Sequence, residues 1–241
     1  MIISHKNKYV FVELPRTGTT AISRELCQLY GGERILRKHA TYNDFLKVAS
    51  PEETKYFAFT CIRNPLDDAV SHYYKLKTNH GERYTKVIKP SARRRLAERL
   101  DALMFKYIHR KDADFSDFFK RVYIFPYNNW VSMNRDQYNF VMRFENLSED
   151  FAKAIQLIGL ELKRPLPPRN VTSSRSRDFT TYYTEDLIPR AKRVFGPFMK
   201  EWGYEFPKEW GNDPIPWWNQ MEFQVFTRIR KIYWTYLRTY I

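Results

Sequence analysis

The stretch KYVFVELPRTGTTAI, residues 8–22, decides the fold. Tyr9 to Leu14 is a short apolar run rich in β-branched and aromatic residues, which predicts a buried strand. Pro15-Arg16-Thr17-Gly18-Thr19-Thr20 follows, with small hydroxylated residues around one glycine. Behind it Ile22, Leu26, Leu29 and Tyr30 recur at helical spacing, and Gly31-Gly32 supplies the stop. A strand that turns directly into a helix collects free backbone N–H groups at the positive end of the helix dipole, a geometry that holds phosphate or sulfate. Thr17, Thr19 and Thr20 add hydroxyls, and Arg16 adds a permanent positive charge. The stretch therefore predicts an anion cradle.

Outward from it, short apolar runs alternate with helical stretches, which predicts an α/β fold with a mainly parallel central sheet flanked by helices. Ile35-Leu36 is a candidate brief strand. Thr41 is the expected cap of a helix whose apolar face is Tyr42, Phe45, Leu46 and Ala49. Tyr56 to Ile62 is the clearest strand, and Arg63-Asn64-Pro65 then reads as the start of the helix LDDAVSHYYKLK. Thr78 to Asp114 breaks the alternation as a basic helical insertion. Between Arg83 and Lys111 ten Lys/Arg face Glu98 and Asp101, an excess of eight over 29 residues. Asn139 to Phe144 is the next strand. Pro165 to Thr181 is a proline- and serine-rich loop carrying Arg169, Arg175 and Arg177. Glu185 to Trp202 is a helix interrupted at Gly196-Pro197. The organisation expected is one domain over residues 1–210 and an aromatic-basic, amphipathic helical tail over 211–241.

Composition bounds the partners. The 241 residues carry a formal charge of +14 and are 43% hydrophobic, enough for a sizeable core. Such a balance favours anionic partners. No apolar run approaches the ~20 residues of a membrane span, and MIISHKNK lacks the apolar core of a signal peptide. Cys27 and Cys61 each sit inside a predicted core element. The expected location is therefore a reducing, cytoplasmic compartment, with the tail docked on its own core, on a second subunit or peripherally on a membrane surface.

Several chemistries fit poorly. The turn after the first strand has no GK pair and its cation precedes the glycine, which counts against ATP or GTP hydrolysis. No GxGxxG follows a strand. The five histidines are scattered, so no metal is expected.

PRTGTT after the first strand resembles the 5′-phosphosulfate-binding loop of sulfotransferases. IRNPLDDAVSHYY resembles their 3′-phosphate-binding strand-helix element, with Arg63 and Ser71 eight residues apart as in that family. KHATYNDF resembles the segment that supplies the catalytic histidine in the branch containing many carbohydrate sulfotransferases. RFENL, LPPRN and the run from YYTEDLIP to FGPFMKEWGYEF resemble the later part of the same branch, so the likeness covers about residues 8–206.

The resemblance implies a P-loop NTPase-like architecture and 3′-phosphoadenosine 5′-phosphosulfate (PAPS) as sulfuryl donor. It implies a donor site of Pro15, Arg16, Thr17, Gly18, Thr19, Thr20, Arg63 and Ser71, closed by Arg175 or Arg177. Catalysis then falls to His39 as general base, with Glu13 in reserve, and to Arg16 at the leaving phosphate. Arg16 stands where the family mostly has lysine, and a guanidinium stabilises charge but donates protons poorly. His72, beside Ser71, is expected to be structural. The implied acceptor is a hydroxyl of a carbohydrate or glycoconjugate, anionic if the basic segment meets it. A kinase on a similar scaffold and a basic nucleic-acid-binding protein are the rival readings, and the latter leaves PRTGTT, Arg63 and Ser71 unexplained.

Overall fold

The computed structural model describes residues 1–82, 84–85, 96–167, 176 and 178–237. The chain divides into two compact units, the first Met1–Asn64 with Asn128–Val171 and Met221–Ile241, the second Pro65–Tyr127 with Thr172–Gln220.

The first unit holds a five-stranded sheet. β1 (Ile2–Ser4), β2 (Tyr9–Val12), β3 (Glu33–Arg34), β4 (Phe57–Ile62) and β5 (Phe140–Arg143) lie in the order β3-β1-β2-β4-β5. β2 pairs in parallel with β4 and β4 with β5, whereas β1 pairs antiparallel with both β2 and β3. The sheet is thus mixed: a parallel half carries an antiparallel edge that the sequence pattern did not predict. β3 also falls two residues before the Ile35-Leu36 expected for it, on exposed residues where hydrophobicity gives no signal.

β4 lies between β2 and β5, and all its residues after Phe57 are buried, as a strand covered on both faces requires. On one face Tyr9, Phe11, Phe59, Cys61 and Met142 meet Ile22 and Leu26 of α1 (Thr19–Leu29). They also meet Phe151, Ala154 and Ile155 of α6 (Leu147–Leu157). The Phe11 and Phe59 rings sit 5.0 Å apart. Burial pushes the Cys61 thiol well above its ordinary range, so it acts as a core residue, and both cysteines are free. α2 (Tyr42–Leu46) starts in a capping box, in which Thr41 accepts from the Asp44 backbone N–H and the Asp44 carboxylate accepts from that of Thr41.

The second unit is helical. α3 (Pro65–Lys77), α4 (Leu96–Lys111), α5 (Phe115–Val122) and α7 (Ile188–Trp202) enclose an aromatic core that includes Tyr73, Phe115, Phe118, Phe119, Tyr123, Tyr183 and Phe195. Buried hydroxyls find carbonyls: Tyr73 donates to Ala113 O and Tyr183 to Leu66 O, each at 2.9 Å. α4 sends Ile108 into this core, and Met104 and Phe105 pack against it. α7 is continuous, with Pro197 inside it, so the interruption expected at Gly196-Pro197 is absent. A Cβ on Gly196 would stand 2.9 Å from Ile215, so the glycine is set by close packing rather than by a helix break. α8 (Trp217–Ile232) and a π-helical turn (Tyr233–Leu237) follow.

Candidate active site

The site is built where β2 runs into α1. Thr17 is buried, and its hydroxyl donates to Leu14 O at 3.0 Å, which curls the chain back on the strand end. That hydroxyl shapes the loop. Gly18 caps α1 with φ 72°, a left-handed conformation that glycine adopts without strain. It also has no room for a side chain, because a Cβ would lie 2.7 Å from Leu147 and 3.4 Å from the Phe144 ring. Gly18 offers no side chain to cap the helix, and no carboxylate stands in the first turn. The Ala21 N–H bonds Gly18 O at 3.0 Å, and no side chain caps the N–H groups ahead of it, the kind of helix start that suits an anion.

Arg16 holds φ 63°, unusual for a residue with a side chain. Its carbonyl accepts from Arg63 Nη1 at 3.0 Å, and the Arg63 guanidinium lies 4.2 Å from the centre of the Phe144 ring. Arg63 is buried at the end of β4, so a cation from one parallel strand braces the loop that follows its neighbour. The next residue, Asn64, donates its backbone N–H to Glu145 at 2.6 Å. Ser71 belongs to the second unit, where it is buried two turns into α3. His72, also on α3, bonds Asp101 through Nε2 at 3.1 Å and sits edge-on to Phe118, a structural setting. Arg169, Arg175 and Arg177 lie outside the described residues.

His39 is drawn to the same strand end. It also has positive φ, 63°, and its Nδ1 lies 2.9 Å from Glu13 O. A carbonyl can only accept, so Nδ1 carries the proton and Nε2 carries the lone pair. Burial pushes the imidazole below its ordinary pKa. The Lys38 charge pushes the same way, and together they outweigh the opposing bond to Glu13. A neutral ring with one oriented basic nitrogen is what proton abstraction near pH 7 needs.

The Glu13 carboxylate is engaged elsewhere. It accepts from the Met1 ammonium at 2.6 Å and from Ser23 Oγ at 2.7 Å, with Arg34 at 3.9 Å. Burial alone raises its pKa, but the ammonium, the Ser23 hydroxyl and the Lys38 charge prevail and hold it below the ordinary range. A carboxylate so bound is a poor base, and Glu13 serves the site through its carbonyl.

Lys38 was not singled out by sequence reasoning. Its ammonium donates to Thr20 Oγ1 at 3.1 Å. Two bonds thus lash the Lys38-His39 segment to the cradle, one before the loop at residue 13 and one after it at residue 20. The signal available was a lysine adjoining the candidate base, but lysines are common surface residues in a chain of 41 Lys/Arg.

A strand-to-helix turn with basic side chains and a histidine beside it is an arrangement that suits group transfer from an anionic donor on an α/β fold. The model of a family described as the sulfotransferase family matches residues 1–196, and the chain belongs to that family. It is accordingly a transferase. No curated protein and no solved structure matches the chain.

Proposed function

We propose that the protein transfers the sulfuryl group of PAPS to a hydroxyl of a carbohydrate or glycoconjugate. The observation that carries this reading is the His39 Nδ1–H bond to Glu13 O, which leaves Nε2 basic beside an uncapped helix N-terminus. Bound PAPS would supply an activated S–O bond between its sulfuryl and 5′-phosphate groups. The backbone N–H groups at Gly18, Thr19 and Thr20, with Arg16 and Lys38, are suited to its 5′-phosphosulfate. Pro15 follows β2 and opens the turn that leads to them. Arg63 and Ser71, with Arg175 or Arg177, remain the residues proposed for the 3′-phosphate.

His39 Nε2 takes the proton of the acceptor hydroxyl as the hydroxyl oxygen bonds to sulfur. The bond from sulfur to the 5′-phosphate oxygen breaks, and its electron pair stays on that oxygen. The positive groups of the cradle stabilise the charge that grows there, as in phosphoryl transfer. Lys38 supplies an ammonium where Arg16 supplies only a guanidinium, so the cradle retains a proton-bearing amine despite the arginine. The formal charge of +14 favours an acceptor that is itself anionic.

The test is transfer of label from radioactive PAPS to a panel of glycans, alongside calorimetric titration with 3′-phosphoadenosine 5′-phosphate and with ATP. Binding of the former and not the latter is expected. Failure of both PAPS and its desulfated product to bind refutes the reading, and tight ATP binding in their place favours a kinase.

A further inference from the structure

α8 lies beyond the part of the chain that the family model matches, and it is apolar on two opposite sides. From Met221 onward, one side is seated on the first unit. Phe223 and Trp234 are buried there, and the Trp234 ring lies 5.0 Å from that of Trp130. Thr227 accepts from Asn128 at 3.2 Å, and Thr235 accepts from Asn43 at 3.0 Å. The seat accounts for the buried aromatics of this region and leaves the other side unexplained.

That side carries Met221, Val225, Ile229 and Ile232, followed by Tyr236 in the π-helical turn. All are exposed, from 49% at Val225 to 76% at Tyr236. At about 100° per residue the four helical positions fall within about 40° of Val225, whereas Phe223 and Trp234 point roughly opposite. The stripe runs about 22 Å from residue 221 to residue 236 at ~1.5 Å per residue. Trp217 and Trp218 on the first turn of the helix are exposed as well. Arg228 and Lys231 are exposed, Arg228 beside the stripe and Lys231 farther round the same flank. From 217 to 237 the sequence has one carboxylate, Glu222, against three Lys/Arg.

We propose that this outward stripe of α8 seats the protein on an anionic lipid surface. An exposed aliphatic row with tryptophan and tyrosine around it and cations at its flank suits the boundary between headgroups and acyl chains. No helix among the described residues is long and apolar enough to cross a bilayer, so the contact lies in the membrane plane. Charge decides between a bilayer and a second copy of the chain. Two copies would bring together molecules of formal charge +14 each, with Arg228 and Lys231 at the seam, whereas an anionic leaflet attracts both cations.

The full chain is sedimented with phosphatidylcholine vesicles, with and without phosphatidylserine. The protein is expected to pellet with the phosphatidylserine vesicles and to remain largely in solution with phosphatidylcholine alone. Val225→Glu with Ile229→Glu is expected to abolish pelleting while the melting temperature stays unchanged, because both positions face away from the buried side. Arg228→Gln with Lys231→Gln should lower partitioning about fivefold per cation removed. Should the glutamate pair disturb folding, Val225→Ser with Ile229→Ser must still cost at least about tenfold. Pelleting unaffected by the stripe variants would place lipid binding on another basic segment and overturn the proposal. Absence of pelleting by the parent chain does the same. So does a dimer in light scattering that the glutamate pair dissociates without any vesicle binding.

Discussion

His39→Asn separates the two things His39 does. The Asn side-chain amide can occupy the place of Nδ1–H and keep the bond to Glu13 O, seen at 2.9 Å, while no basic nitrogen replaces Nε2. Asparagine also tolerates the positive φ of 63° better than most residues. Folding should therefore survive: a retained hydrogen bond avoids a loss of about 1 kcal/mol. His39→Ala loses that bond, about 1 kcal/mol. For a chain of this size that lowers the melting temperature by about 2–4 °C. Both variants lack the base, so kcat should fall by about 10²–10⁴ in each, while donor affinity changes little. The pH profile adds a second readout. Because burial lowers the His39 pKa, the acid limb of kcat/KM should fall below the ordinary imidazole value of about 6.5, and it should vanish in His39→Asn. The assay is initial sulfuryl transfer against pH, with calorimetry of donor binding and thermal melting. Transfer by His39→Asn within about tenfold of the parent would refute general-base catalysis by this residue.

Gly18→Ala should destabilise by about 2–3 kcal/mol, from left-handed strain and from a Cβ at 2.7 Å from Leu147; denaturant titration measures this, and a neutral result would mean the cradle is not tightly packed. Arg16→Lys should keep transfer within about tenfold, whereas Arg16→Met and Lys38→Met should each cost about 10–100-fold, the worth of one charged hydrogen bond. Full activity of Lys38→Met in steady-state kinetics would remove Lys38 from the cradle. Glu13→Gln leaves the Met1 ammonium buried against a neutral amide and should cost about 3 kcal/mol near pH 7. Since the folded carboxyl titrates below its ordinary range, the stability it gives is complete above the unfolded value of about 4.3 and is lost as pH falls through the folded pKa. Parent and variant melting curves should therefore converge in acid, and a gap independent of pH would contradict the ion pairing.

Much of the local geometry around the candidate site was legible because its signals are contiguous. A strand, a glycine with two threonines and an amphipathic helix are contiguous, so PRTGTT predicted the cradle, and Arg63-Asn64-Pro65 predicted the second strand-to-helix junction. Elements were missed where the pattern is too short or depends on distant packing. β1 has three residues, too few to show alternation, and β3 has two exposed ones. Pro197 reads as a breaker, yet α7 passes through it, with Phe195, Gly196, Pro197 and Phe198 all buried. The Thr17 hydroxyl, an anion donor by sequence, bonds Leu14 O instead.

By itself, then, the sequence determined the α/β character, the strand-turn-helix that makes an uncapped helix N-terminus, and the histidine proposed as a base. Tertiary structure decided how those parts work together. It brings residue 39 to the carbonyl of residue 13 and residue 38 to the hydroxyl of residue 20, across separations of 26 and 18 residues. It also pairs the Glu13 carboxylate with the Met1 ammonium. Hydrogen bonds between groups so far apart depend on how strands and loops come to rest, and no periodicity along the chain encodes that.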